Sequence, residues 1–206
     1  MIAPVLLVLT AILYRVIIGV AGMHEMHLLH NFSPMAAIAL CGAIYFPRRI
    51  AILAPLAAFL VSDLVLNACY LASTPHVTSL LSVKMIPEYV ALGLTAALGW
   101  KLRANPKPGF ILGASLLGSI AFYVITNTGD WLAEPLYAKT AAGWVQALTT
   151  GLPGYPPTLS FFRNTAASDL LFTAIFIACM AWKPDASSAS SASAASTRPT
   201  HSTGCT

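Results

Sequence analysis

Long apolar segments recur along this chain from residue 2 to residue 182, and they constrain its fold more than any other feature. A bilayer core about 30 Å thick needs about 20 apolar residues per helix, and fewer where a helix ends inside the protein. Hydrophobic residues make up 57% of the sequence and charged residues only 9%, which leaves no room for a soluble domain. The sequence therefore predicts an all-α integral membrane protein.

Six segments are long and apolar enough to cross, and they predict a six-transmembrane-helix bundle within one domain, residues 1–182. In chain order, the segments cover residues 2–20, 33–46, 50–71, 86–102, 109–127 and 163–182. Between the last two segments, residues 139–148 predict a short amphipathic helix on the outer membrane face. Residues 183–206 are rich in Ala and Ser and have almost nothing to bury, so we expect a disordered cytoplasmic tail.

The second predicted helix has a recognisable start. Ser33 can cap the free amides of the first turn, and Pro34 fits the first helical position without the loss of a hydrogen bond. The turn before this start is rich in polar side chains, which are His24, His27, His30 and Asn31. Their place at the mouth of an apolar segment predicts a ligand site.

The histidine turn leaves three interpretations open. The imidazoles are solvated on an outer loop, they cover an organic ligand, or they meet a transition metal for which His76 and Cys69 of the facing loop are further donors. The spacing differs from HExxH and excludes a zincin site. For Cys69, a buried and inert thiol is the alternative.

Three ionisable residues interrupt apolar helices, namely Arg15, Asp63 and Asp169. Each costs about 2.5 to 3.5 kcal/mol on insertion scales, so each needs a partner or a purpose. In one interpretation, Arg15 pairs with Asp63 or Asp169 as a structural ion pair; in the other, the three line an outward-facing cavity for a polar ligand. The cavity is favoured by further side chains predicted at that depth or side, which are Asn67, Asn127, Trp131, Tyr137, Arg163 and Asn164.

Basic residues of the short loops predict the orientation. One side would hold seven of them: Arg48, Arg49, Lys101, Arg103, Lys107, Lys183 and Arg198. The positive-inside rule then places both termini in the cytoplasm. Because these residues are spread over several loops and form no patch, no nucleic-acid partner is expected.

No catalytic or nucleotide-binding motif can be placed, so we expect a protein that is not an enzyme and draws energy from a partner or a gradient. Close helix packing is predicted where small residues lie four apart, at Ala39 and Ala43 and at Gly109 and Gly113.

Three short motifs resemble those of a family of small bacterial six-helix membrane proteins. They are Asn31-Phe-Ser-Pro-Met-Ala-Ala-Ile-Ala-Leu, Leu60-Val-Ser-Asp-Leu-Val-Leu and Phe161-Phe-Arg-Asn-Thr-Ala-Ala-Ser-Asp-Leu-Leu-Phe. That family is similar to the substrate-binding S components of energy-coupling-factor (ECF) vitamin transporters, and in particular to the BtuM-type solitary cobalamin transporters. The resemblance covers nearly the whole chain apart from the tail, and it implies a vitamin site that opens outward beneath the loops.

The resemblance implies ligand-binding roles for His24, Asp63, His76 and Arg163, with Cys69 as a reserve axial ligand. Cobalamin suits these donors, because its cobalt takes an axial imidazole or thiolate and its amide-rimmed ring takes hydrogen bonds. The chain departs from the family in the loop after the third helix, where no cysteine is clearly placed and His76 is the substitute considered.

The Ala-x-x-x-Ala signature by which many S components dock their coupling subunit is absent from the first helix, where Ala3 and Ala11 are eight residues apart. The leading hypothesis is therefore a solitary transporter that takes up cobalamin or a related corrinoid and needs no cofactor besides this bound ligand and its cobalt. Two alternatives stay open. One is an S component for another small vitamin that depends on an ECF coupling module, and the other is a metal-binding membrane protein without transport activity.

Overall fold

A computed structural model describes residues 2–22, 32–73, 83 and 85–181 of the 206-residue chain. This part of the chain forms seven α-helices and no strand, which confirms the all-α class. The helices are α1 (Ile2–Gly22), α2 (Met35–Tyr45), α3 (Leu53–Ser73), α4 (Met85–Leu102), α5 (Pro108–Ala133), α6 (Ala141–Leu148) and α7 (Thr158–Ala181). Each of the six predicted apolar segments corresponds to one helix, and α6 lies within the segment predicted as a short helix.

The helices belong to a membrane-embedded, multi-pass protein. By length and composition, α3, α5 and α7 can each cross a membrane, and the segments Val8–Val20 and Met35–Tyr45 are shorter apolar helices. The outer surface is apolar as well. Along α1, the side chains of Leu6, Leu9, Leu13 and Ile17 recur at helical spacing and are 55 to 60% exposed, which is the pattern of a lipid-facing stripe.

Helix α2 lies at the centre of the bundle. It packs against α1, α3, α4, α5 and α7. Every residue from Ala37 to Ile44 is buried, and the apolar core spreads from these side chains into the neighbouring helices. A helix of 11 residues rises about 16 Å, roughly half of the hydrocarbon thickness, so α2 requires protein around it and beyond its end.

The predicted cap of α2 is wrong. Pro34 occupies the N-cap position, and no side chain caps the helix. Ser33 therefore lies one position too early to reach the first helical amides. Its backbone is held instead by α7, because the Ser33 amide donates to Ser168 Oγ at 3.3 Å and Ser168 Oγ donates to the Ser33 carbonyl at 3.2 Å.

Two helix ends differ from the predicted segments by five residues or more. Helix α7 begins at Thr158, five residues before the predicted start at Arg163, because Pro156 and Pro157 precede it and end the loop there. Helix α5 continues to Ala133 and so carries Asn127 and Trp131 within it. The Gly- and Pro-rich run at residues 151–157, whose composition predicts a loop, contains no helix, whereas the predicted tail, residues 183–206, lies outside the described residues.

Close packing of helix backbones is confirmed at Ala43 but involves a glycine that the spacing rule missed. A methyl group added to Gly99 of α4 would overlap the carbonyl oxygen of Leu40 and lie 3.0 Å from Cβ of Ala43. At Gly109 and Gly113, in contrast, an added methyl group would meet nothing within 4 Å. The close approach that organises the core is thus between α2 and α4.

We expect Gly99→Ala to lower the thermal stability of the purified protein in detergent, because the new methyl group must push α4 away from the Leu40 carbonyl. Overpacking of this kind costs about 1 to 3 kcal/mol. Gly93→Ala, in the same helix and with open space around its Cα, is the matched control and should be neutral or slightly stabilising. Equal melting temperatures for the two variants would contradict the packing of α4 on α2.

Candidate functional site

A cavity of about 780 Å³ lies between the helices at the end where α2 begins. Its wall comes from the second halves of α1 and α5, the middle and end of α3, the first halves of α2, α4 and α7, and the segments before α2, after α5 and after α6. Consecutive helices run in opposite directions, so these halves meet at one end of the bundle. The volume falls within the range of about 300 to 1,000 Å³ that is usual for sites of small organic ligands.

The Arg15 guanidinium is held on this wall by α3. Its Nη1 donates to Asp63 Oδ1 at 2.5 Å and to Ser62 Oγ at 2.6 Å, and its Cζ lies 4.3 Å from the centroid of the Phe59 ring. The Tyr89 hydroxyl of α4 donates to the other Asp63 oxygen at 3.3 Å. The Arg15 side chain is 17% exposed and the Asp63 side chain 8%, so the two form a largely buried, hydrogen-bonded ion pair between α1 and α3. Of the two carboxylates predicted as partners of Arg15, Asp63 is the one that binds it.

Asp169 bonds to a different helix. Its carboxylate is 1% exposed and accepts a hydrogen bond of 2.6 Å from Ser119 of α5. One turn away, the hydroxyls of Ser115 and Thr173 are 3.0 Å apart, so a buried polar seam joins α5 to α7. Asp169 also lies on the cavity wall, at the end of this seam.

Three other predicted ligand-binding residues line the cavity. Asn67 and Asn127 present carboxamides from α3 and α5, and Tyr137 lies in the connection between α5 and α6. The Asn127 amide nitrogen donates one hydrogen bond to the carbonyl of Tyr123 at 2.8 Å, and the side chain has a second N–H and an oxygen with which to bind a ligand.

Four predicted site residues do not line this cavity: Cys69, Trp131, Arg163 and Asn164. The Trp131 indole donates to the Ala138 carbonyl at 2.9 Å and so holds the connection after α5, and the Arg163 side chain is exposed. Within the described ranges, no three His, Cys, Asp or Glu side chains are grouped to hold a metal ion. The binding roles of His24, His27, His30, Asn31 and His76 stay predictions, because these residues lie outside the described part.

The sequence reasoning missed three acidic residues of the wall: Glu88, Asp130 and Glu134. All three lie near helix ends, where carboxylates ordinarily meet water, so their individual positions gave no signal. A comparison of the acidic with the basic residues would have given one. Every acidic side chain in the described part of the chain lines the cavity, and among the basic ones only Arg15 does.

Ser33 adds an incomplete hydrogen-bond arrangement to the wall. Ser33 lines the cavity, and its Oγ is buried without a hydrogen-bond partner among the described residues. A buried hydroxyl without a partner costs about 1 to 3 kcal/mol, which a ligand or water at this position would recover. The cavity thus combines carboxylates, amides, a hydroxyl and aromatic rings.

Comparison with known proteins gives one match. The model of a protein family described as a family of unknown function (DUF6580) matches residues 1–191. No curated protein and no solved structure matches the chain. The likeness to vitamin transporters therefore depends on the three sequence motifs alone.

We expect Arg15→Met to destabilise the protein strongly, because it leaves the Asp63 carboxylate buried without its cation. Removal of one partner of a buried pair costs about 3 to 5 kcal/mol. The double variant Arg15→Met with Asp63→Asn should recover part of this loss, which a double-mutant cycle of unfolding in detergent would measure. Arg163→Met, at an exposed position, is the control and should change the stability by less than about 0.5 kcal/mol. Simple additivity of the two single changes would contradict the pairing.

Proposed function

The chain belongs to the DUF6580 family, and we propose that it is an uptake protein that binds a vitamin-like organic solute in its cavity and moves it across the bacterial cytoplasmic membrane. The observation that carries the proposal is the cavity itself, about 780 Å³ in volume, between helices that are apolar towards the outside. Ionisable residues at membrane depth are costly and commonly mark solute pathways. A structural ion pair alone would need Arg15 and Asp63, but not the open space beside them.

The proposed topology has six crossings, made by α1, α2, α3, α4, α5 and α7, with both termini in the cytoplasm. It is supported by the positions of the basic residues. Arg48 and Arg49 follow α2, while Lys101, Arg103 and Lys107 lie around the end of α4 and the start of α5, at the opposite end of these helices from the cavity. With this basic end in the cytoplasm, the cavity opens to the outside, as uptake requires.

The corrinoid remains the solute proposed from the sequence motifs. Its amide rim would meet Asn67, Asn127 and Tyr137 on the wall, and its cobalt would take an axial ligand from His76 or, in reserve, from Cys69. His76 lies outside the described residues, and Cys69 does not line the cavity.

A smaller vitamin, bound by an S component that works with an ECF coupling module, is the second candidate. It is favoured by the cavity volume, which suits a ligand of ordinary drug size without any contribution from the outer loops. Both candidates share the same site and the same direction of movement. They differ in the solute and in the need for a coupling module.

The test begins with the full-length protein purified in detergent. We expect small molecules released on denaturation to include one solute at near-stoichiometric amount, identified by its visible spectrum and by mass spectrometry. A corrinoid absorption band supports the first candidate, and a colourless vitamin supports the second. Absence of any retained solute, together with no uptake of labelled cobalamin by cells that express the protein, would contradict the proposal.

A cavity-filling variant shows whether the solute occupies this site. Ala36 lines the cavity, so Ala36→Trp should lower retention of the solute by about tenfold or more, equivalent to at least about 1.4 kcal/mol of binding free energy. Ala97→Trp places the same side chain at an exposed position of α4 that does not line the cavity and should retain the solute as the wild type does. Equal retention by the two variants would place the solute elsewhere.

A further inference from the structure

We propose that the cavity selects an organic cation, such as a protonated amine or a cationic heteroaromatic ring. This inference rests on the proposed function in one respect, since it takes the same cavity as the solute site. It adds the charge and the chemical class of the solute, which neither the family nor the sequence motifs supply.

The first observation is a separation of charge within the described residues. All five acidic side chains there line the cavity, whereas seven of the eight basic ones lie elsewhere. The exception is Arg15, and it is already bound to Asp63 at 2.5 Å. The wall therefore has five acidic side chains and one basic side chain.

The second observation concerns Asp169 and Glu88, two carboxylates that the Arg15 guanidinium does not bind. Asp169 is buried and accepts its hydrogen bond from the neutral hydroxyl of Ser119, which brings no positive charge. Glu88 of α4 lines the same cavity as two further carboxylates, Asp63 and Asp130. Like charges repel strongly where water is scarce, so a cation that enters between these helices relieves the repulsion.

The third observation distinguishes an organic cation from a metal ion. Within the described ranges, the acidic side chains are too dispersed for three of them to share one ion. Aromatic rings line the same cavity, for example Tyr123 and Phe162, whose centroids are 4.8 Å apart. A dispersed negative charge among aromatic faces fits a bulky cation with apolar surface, because such a cation gains both Coulomb and cation–π attraction.

Arg15 provides an internal example of this recognition. Its guanidinium lies against the Asp63 carboxylate on one side and 4.3 Å from the Phe59 ring on another. The wall thus already binds one organic cation, supplied by the protein itself, with a carboxylate and an aromatic face. A solute cation would meet the same two kinds of group at Glu88 and the aromatic rings of the wall, with the buried Asp169 carboxylate acting on it from behind the surface.

Three small aromatic probes of different charge test the inference on the full-length protein in detergent. They are benzyltrimethylammonium, benzyl alcohol and benzoate, each with one phenyl ring, and isothermal titration calorimetry measures their affinities. We expect the cation to bind about tenfold or more tightly than the neutral and anionic probes. Equal or tighter binding of benzyl alcohol or benzoate, or no binding of any probe, would overturn the inference.

Substitutions then assign the charge. Glu88→Gln and Asp169→Asn should each weaken binding of benzyltrimethylammonium several-fold, while Asn105→Lys, which makes the same change in net charge at an exposed loop position, should not. If a substituted protein does not fold, the affinity of the wild-type protein for benzyltrimethylammonium is measured at increasing salt concentration instead. Attraction between charges weakens as ionic strength rises, so this affinity should fall. If neither Glu88→Gln nor added salt changes the affinity for benzyltrimethylammonium, the electrostatic selection is refuted. It is also refuted if calcium displaces the probe at a lower concentration than a second organic amine does.

The two proposals can fail separately. If benzyltrimethylammonium binds as expected but no solute is taken up by cells, the charge selection holds and the uptake function fails. If a neutral solute is retained and taken up while the cationic probe does not bind, uptake holds and the charge selection fails.

Discussion

The short central helix α2 determines much of this architecture. A helix of 11 residues fills only about half of the hydrocarbon thickness, and α2 is buried along almost its whole length. The surrounding helices are 18 to 26 residues long, so they extend past its first turn and enclose space there. The cavity occupies this space, and residues at the start of α2, such as Met35 and Ala36, form part of its wall. The cavity is therefore a consequence of unequal helix lengths around a packed centre.

Polar contacts across the bundle have two different roles. The Arg15 and Asp63 pair joins α1 to α3 and satisfies its own charges, while the hydroxyls of Ser119, Ser115 and Thr173 join α5 to α7. In a membrane, apolar surface gives helices little reason to prefer each other over lipid, so close packing and such hydrogen bonds specify which helices meet. Asp169 belongs to the second contact, since its carboxylate accepts the hydrogen bond from Ser119, and it lines the cavity as well.

The helices could be predicted from sequence because length and apolar composition alone decide what can cross a bilayer. The contacts could not, since they depend on which faces meet. The spacing rule selected Gly109 and Gly113, which face open space, and missed Gly99, which lies on the backbone of α2. The cap prediction at Ser33 failed by one residue, because tertiary contact with Ser168 replaced local capping.

Site residues follow the same division. Arg15, Asp63 and Asp169 were predictable because charges within apolar helices are conspicuous, and Asn67, Asn127 and Tyr137 because they share that depth. Trp131 and Arg163 share the depth but point to other surroundings, and depth alone carries no information about direction.

Helix packing divides the wall of the cavity into two groups of helices. Helices α1 and α3 pack chiefly on each other, and α2, α4, α5 and α7 pack together, so the cavity lies along the boundary between a pair and a four-helix group. The hydrogen bond of 3.3 Å from Tyr89 to Asp63 crosses that boundary. A tilt of the pair would therefore widen or narrow the cavity while both groups keep their internal contacts.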